Sequence, residues 1–159
     1  MAQTDNHDEF SLPKLILNFG RKPLILYVED NNINAQLITE ILNNYCIVVI
    51  AESGEKALEM VVQNNYDLIL MDLGLGNGMN GLETTEKIHK ITGYDQIPVA
   101  AVSGYLLNYS KEALIEAGID YYLAKPFTRI QLLNLIQDIL IRNYFSAPQS
   151  FPDTPIGAP

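Results

Sequence analysis

An α/β sandwich around a central parallel sheet is the fold class that the sequence predicts, and three observations predict it. Five short apolar runs, 23–28, 46–51, 67–71, 97–102 and 119–123, are rich in Ile, Leu and Val without clean polar alternation, as expected of strands covered on both faces. The segments between them place apolar residues three and four apart, which is helical spacing. Strand and helix therefore alternate along the chain, and parallel neighbours need the long right-handed connections that helices supply. Ligands of such sheets sit beyond the carboxyl ends of the strands.

The elements follow in order. Pro23 to Val28 forms the first strand and is succeeded by Glu29, Asp30 and Asn31; a helix then carries Ile33, Leu37, Ile38, Ile41 and Leu42 on one side. Cys46 to Ala51 forms the second strand, and the next helix follows Ser53 with Ala57, Leu58, Val61 and Val62. The third strand, Asp67 to Met71, ends at Asp72 and leads through a glycine-rich stretch to a helix predicted from about Gly81 to Ile91. Ile97 to Val102 precedes Ser103, and the fourth helix is introduced by Ser110 as N-cap and ended by Gly118 in a left-handed conformation. Ile119 to Leu123 is the last strand, with Lys125 just beyond it. Thr128 and Gln131 have the spacing of a capping box and start the fifth helix. There Leu132, Leu133, Leu135, Ile136, Ile139 and Leu140 cover roughly 160° of the circumference at about 100° per residue. One side faces the sheet; the surplus is expected to serve a homodimer or effector surface formed with the fourth helix and fifth strand, or to receive the apolar patch at 15–19.

A chain of 159 residues suits one domain. It is assigned to 22–145, with an N-terminal extension at 1–21 and a Pro-rich tail at 146–159 that is expected to be disordered. The hydrophobic fraction of 48% against 18% charged residues excludes a largely unfolded chain. A net charge of −9, from 19 acidic and 10 basic side chains, disfavours direct binding to nucleic acid. Cys46, the single cysteine, excludes a disulfide framework and is expected to be an inert buried thiol. The run Leu15-Ile16-Leu17 is too short to span a membrane, so a cytoplasmic location is expected. His7 and His89 are expected to be solvated.

The chemistry is concentrated at the strand ends, where Glu29, Asp30, Asp72, Ser103 and Lys125 fall. If the first and third strands are neighbours, roughly 4.8 Å apart, three carboxyl groups share one pocket. Two carboxylates about 4 Å apart disfavour each other by roughly 4 kcal/mol at an effective dielectric near 20, so the cluster needs protonation or a cation. Oxygen ligands without His or Cys favour Mg2+, or Mn2+, over zinc. A carboxylate beside a cation and a lysine can attack phosphorus to give an aspartyl phosphate, and a serine can donate to the phosphoryl oxygens. Taken one at a time the residues also have ordinary roles: Glu29 or Asp30 as a helix-capping acid, Asp72 as a turn former, Ser103 as a strand-end hydroxyl, Lys125 as a surface charge.

Taken together, Leu26-Tyr27-Val28-Glu29-Asp30-Asn31, Asp67-Leu68-Ile69-Leu70-Met71-Asp72, Ala101-Val102-Ser103-Gly104 and Tyr121-Tyr122-Leu123-Ala124-Lys125-Pro126-Phe127 resemble the receiver domains of two-component response regulators. The resemblance runs from Lys22 to Asn143. It implies a flavodoxin-like (βα)5 three-layer sandwich with strand order 2-1-3-4-5. It implies that Glu29, Asp30, Asp72 and the carbonyl of Gly74 hold Mg2+, and that Asp72 is the phosphoacceptor. Ser103 is then the switch hydroxyl, Lys125 the phosphoryl-binding lysine, and Lys125-Pro126 a cis peptide. Tyr122 either turns inward on phosphorylation or is ordinary packing. The implied protein is a signalling phosphoacceptor rather than an enzyme; its partners are a sensor histidine kinase or phosphotransfer protein and a downstream protein effector. Met1 suits a stand-alone receiver, whereas Glu29-Asp30-Asn31-Asn32-Ile33-Asn34 resembles receivers attached to hybrid kinases.

Two departures from the family pattern stand out. The segment from Gly74 to Gly81 lacks the usual proline and is one residue longer, and Gly74, Gly76 and Gly78 imply glycine-only backbone angles or a mobile loop. The Gly74 carbonyl is then less preorganised for metal. Tyr105, two residues after Ser103, is expected to shield the site from water and lengthen the life of the phosphorylated state. Rival readings are a phosphorylation-independent interaction module that keeps a relic pocket, and a flavin-binding protein, which would need a phosphate-cradling loop where this chain has Glu29-Asp30.

Overall fold

Alternate residues of the first strand, β1 (Leu24–Val28), divide the interior in two. Ile25 and Tyr27 join one apolar cluster and Leu26 and Val28 another, as the two-residue period of a strand requires. All four side chains are fully buried, so β1 is central and covered on both faces.

The computed structural model describes residues 20–145. After β1 come α1 (Asn32–Leu42), β2 (Ile47–Ala51), α2 (Gly54–Gln63), β3 (Leu68–Met71), α3 (Gly81–His89) and β4 (Val99–Ser103). A short 3-10 turn (Leu106–Asn108), α4 (Lys111–Glu116), β5 (Tyr121–Ala124) and α5 (Arg129–Phe145) complete the order. The strands form one parallel sheet in the order β2-β1-β3-β4-β5, the flavodoxin-like topology. Ile38 and Leu42 of α1 and the apolar side of α5 cover one face; Ala57 and Val61 of α2, Ile88 of α3 and Leu114 of α4 cover the other.

Side-chain caps set the helix starts. Asn31 accepts from the amides of Ile33 and Asn34, Ser53 from Lys56, and Ser110 from Ala113. The Thr128–Gln131 box closes in both directions, at 2.8 and 3.2 Å. A second box, Asn80 with Glu83, starts α3. Each such cap contributes roughly 1 kcal/mol. The helix α3 stops at His89 rather than Ile91, because Lys90 N–H donates to Lys87 and Ile91 N–H to Ile88, the tighter bonding that commonly closes a last turn. Gly118 takes the expected left-handed conformation, at φ +87.

Leu132, Leu133, Leu135, Ile136, Ile139 and Leu140 of α5 are all 0–4% exposed and share one core cluster with Ile38 and Leu42 of α1 and with the sheet. His89 is half-buried rather than solvated: its ring lies so close to Gly118 that a Cβ there would meet Nδ1 at 2.2 Å. Arg21 already belongs to the folded body, donating to both Asp67 oxygens at 2.7 and 2.8 Å. The apolar patch at 15–19, His7 and the Pro-rich tail lie outside the described residues. Among those described, no helix is long and apolar enough to cross a membrane.

Candidate functional site

The parallel register brings the acidic residues together. Val28 stands opposite Met71, Asp72 N–H donates to Val28 at 3.0 Å, and Glu29 N–H donates to Ala51 at 3.0 Å. Glu29 and Asp72 therefore leave adjacent strands at the same level, with Asp30 one residue further on. Carboxylate oxygens of Glu29, Asp30 and Asp72 lie within 4.8 Å of one another. Lys125 follows β5, its N–H bonded to Ser103 O at 3.1 Å, and its peptide bond to Pro126 is cis.

Each carboxylate is held differently. Glu29 is 2% exposed and accepts four hydrogen bonds: Tyr27 Oη–H at 2.5 Å and Lys125 Nζ at 2.7 Å on Oε2, Asn31 N–H at 3.1 Å and Asn34 Nδ2 at 3.4 Å on Oε1. That saturation lets a charge persist in the interior. Burial, and then the bond to Glu29, push the Tyr27 hydroxyl far above the usual tyrosine range, so it remains a donor. Asp72 is 6% exposed; Oδ1 accepts from Gly74 N–H at 3.1 Å and Oδ2 lies 3.7 Å from Lys125 Nζ. Asp30 is exposed and its Oδ2 accepts from Gly76 N–H at 2.8 Å.

Three carboxylates thus cluster, and one ammonium reaches two of them, Glu29 and Asp72. The imbalance and the all-oxygen donor set fit a hard divalent cation such as Mg2+. Glu29, Asp30 and Asp72 are placed to hold it, and Gly74 adjoins them through its bond to Asp72.

Ser103 is fully buried at the end of β4, and its Oγ accepts from Tyr105 N–H at 3.1 Å. The ring of Tyr105 lies on Gly74, where a Cβ would meet its edge at 2.3 Å. Tyr122, opposite Ala101, is partly buried against the cluster under α2, α3 and α4.

The glycine-rich stretch departs from expectation. Of Gly74, Gly76 and Gly78, only Gly78 has positive φ, at +85. Gly74 and Gly76 instead make room: for the Tyr105 ring in one case, and for Asp30 Oδ2 in the other, 2.9 Å from a notional Cβ. Two contributors were missed in the sequence: Tyr27 and Asn34, which both donate to Glu29. Tyr27 was within reach, since it lies two residues before Glu29 on the same strand face.

The family model described as "Response regulator receiver domain" matches residues 25–137. Signal transduction histidine-protein kinase BarA of Escherichia coli (strain K12) is 37% identical over 113 residues, 70% of this chain and 12% of BarA. Sensor protein GacS of Pseudomonas syringae pv. syringae is 32% identical over 121 residues, 74% of this chain and 13% of GacS. The chain therefore spans a small part of the length of either kinase. Among solved structures, the receiver domain of a sensor histidine kinase from Pseudomonas aeruginosa PAO1, with a magnesium ion coordinated in its active site cleft, is 31% identical with a TM-score of 0.69; the match covers 75% of this chain and 98% of that one. Five parallel strands in the order β2-β1-β3-β4-β5, an acidic cluster at their carboxyl ends and a family match across most of the chain have one consistent meaning: the chain belongs to the response regulator receiver domain family of two-component systems.

Proposed function

We propose that this receiver domain, assigned to 22–145, accepts a phosphoryl group on Asp72 from a sensor histidine kinase or phosphotransfer protein and so switches a protein-protein interaction surface. The observation that carries the reading is the meeting of Glu29, Asp30 and Asp72 oxygens within 4.8 Å, with Lys125 Nζ at 2.7 Å from Glu29 and 3.7 Å from Asp72. A bound Mg2+, or Mn2+, supplies charge neutralisation for the carboxylates and the incoming phosphoryl oxygens. The magnesium in the cleft of the Pseudomonas aeruginosa receiver supports that assignment.

Asp72 is buried enough to exclude bulk water from most of its surface, and Gly74 N–H orients it through Oδ1. An Asp72 oxygen forms the new bond to phosphorus as the donor's phosphorus–nitrogen bond breaks, and the electron pair leaves with the donor nitrogen. Lys125 neutralises the oxygens of the transferred group. Ser103 turns its hydroxyl toward them, and Tyr122 follows inward. The domain acts as a signalling phosphoacceptor rather than as a catalyst of turnover, in a cytoplasmic setting.

The phosphodonor approaches beside Lys125, where a cavity of about 370 Å³ opens between Leu37, Asn34 and Phe127. Exposed Ile33, Leu37 and Ile130 lie on the flanking elements. The effector or homodimer surface is assigned to α4, β5 and α5, with Ile115 and Ile141 exposed there once the α5 core residues are set aside.

Incubation with acetyl phosphate and Mg2+, read by intact mass, tests the proposal. One added phosphoryl group is expected on the wild type, and none on Asp72→Asn or with chelator present. Equal labelling of Asp72→Asn, or none of the wild type, would overturn it; the second outcome favours a phosphorylation-independent module, for which the engagement of Asp30 by Gly76 is the supporting observation.

A further inference from the structure

The long loop between β3 and α3 is fastened at two points. Near the sheet, Gly76 N–H donates to Asp30 Oδ2 at 2.8 Å. At the far end, Met79 N–H donates to Glu55 Oε1 at 3.0 Å. Glu55 stands in the first turn of α2, where the helix meets the loop so closely that a Cβ on Gly54 would lie 3.2 Å from Met79 Cβ. The Glu55 carboxylate also fills the space beside Gly78, 2.7 Å from a notional Cβ. Amide hydrogen bonds, from its own N–H first and Met79 next, hold Glu55 below the usual carboxylate range, so it accepts as an anion at neutral pH.

The two fastenings differ in what a cation does to them. A metal bound at Asp30 Oδ2, the oxygen that accepts Gly76 N–H, shares or displaces that bond. Glu55 lies outside the acidic cluster and keeps its bond. A loop released at Asp30 without the far tether would gain conformational freedom, and re-ordering it would then count against cation binding.

We propose that Glu55 is a positioning residue for the cation site, fixing the far end of the loop so that the Gly74 end stays ordered when Asp30 exchanges Gly76 N–H for the metal. This rests on the reading of Asp30 as a metal ligand. The alternative source of any Glu55 effect is its charge, which attracts a cation at a distance. Gln retains an acceptor oxygen and lacks the charge, so it separates the two.

The test is a calorimetric Mg2+ titration of the full chain as wild type, Glu55→Gln and Glu55→Ala, with amide NMR shifts of Gly76 and Met79 followed alongside. Loss of a charge-assisted hydrogen bond predicts a dissociation constant roughly tenfold higher for Glu55→Ala, with Glu55→Gln recovering most of the affinity. The Gly76 amide should shift on Mg2+ addition while Met79 holds its position. Wild-type affinity in Glu55→Ala, or Glu55→Gln as weak as Glu55→Ala, would overturn the tether. No Mg2+ binding by the wild type would instead remove the metal reading on which it stands.

Discussion

The ammonium of Lys125 donates to the buried carboxylate of Glu29 at 2.7 Å, nearer than the 3.7 Å that separates it from Asp72 Oδ2. This lysine is therefore first a structural counterion of Glu29. The Glu29 side chain is 1% exposed and that of Lys125 21%, so loss of the lysine leaves a buried negative charge short of a partner. Lys125→Met should destabilise the fold by about 2 kcal/mol in chelator, below the range for a fully buried pair because the lysine is partly solvated. Added Mg2+ should recover part of that loss by neutralising the same carboxylates. Urea unfolding with chelator and with Mg2+ measures both; an equal loss in the two conditions would refute the shared role.

Tyr105 is 54% exposed, yet one edge of its ring rests on Gly74. Gly74 N–H in turn donates to Asp72 Oδ1 at 3.1 Å, so a ring that shields Asp72 from water is the expectation under test. Tyr105→Ala should shorten the phosphorylated lifetime by about threefold or more, equivalent to ~0.6 kcal/mol in the hydrolysis barrier. Gly74→Ala should act in the same direction, since its Cβ would displace the ring. Loss of phosphate after donor removal gives the rate; an unchanged or longer lifetime in Tyr105→Ala counts against the shield.

The strand tips were legible because a buried strand must end where polar residues begin, and Glu29, Asp72 and Lys125 mark those ends. Ser103 was placed just beyond a strand and is its last residue. Strand order came from the family resemblance, since apolar runs carry no record of their neighbours. The partners of the loop were hidden by distance along the chain: Gly76 meets Asp30 across 46 positions and Met79 meets Glu55 across 24. A glycine in a sequence does not tell whether it supplies a backbone angle, as Gly78 does, or space, as Gly76 does. The breadth of the apolar arc on α5 looked like surplus for a similar reason: nothing within that helix shows that it shares a core cluster with Ile38 and Leu42 of α1.

Gly81 is held by backbone on the far side of Asp72. A Cβ there would lie 2.3 Å from Asp72 O and 2.8 Å from Leu73 Cα, and no rotamer change relieves a clash with main chain. Gly81→Ala should cost about 2 kcal/mol or more through overpacking, although Ala is the better helix former by about 1 kcal/mol. Gly104→Ala is the control, because nothing lies within 4 Å of its Cβ position; it should be neutral or stabilising by a few tenths of a kcal/mol. Comparable losses at both positions would show that the close contact at Gly81 is not what decides.

Alkaline pH should act through Cys46. Burial first, with Asp67 adding to it against Lys22, pushes the thiol from 9.0 up to about 12. The folded state therefore keeps a proton that the unfolded chain releases, and unfolding is favoured as pH rises. The stability contributed by the neutral thiol is complete below pH 9, falls between 9 and 12, and is gone once the folded-state value is passed. Tyr27 adds loss of the same sign beyond its ordinary 10.0, so the comparison has to be with a variant that changes the thiol alone. Cys46→Ala should begin about 1 kcal/mol less stable at neutral pH because of the small void it leaves. Its stability should then decline less steeply than that of the wild type across the window, and the two curves should cross. Since Cys46 is 2% exposed, a thiol reagent should label it only at the rate of unfolding, and labelling should accelerate over the same interval. Parallel stability curves, or rapid labelling of the folded protein at neutral pH, would contradict a proton held by burial.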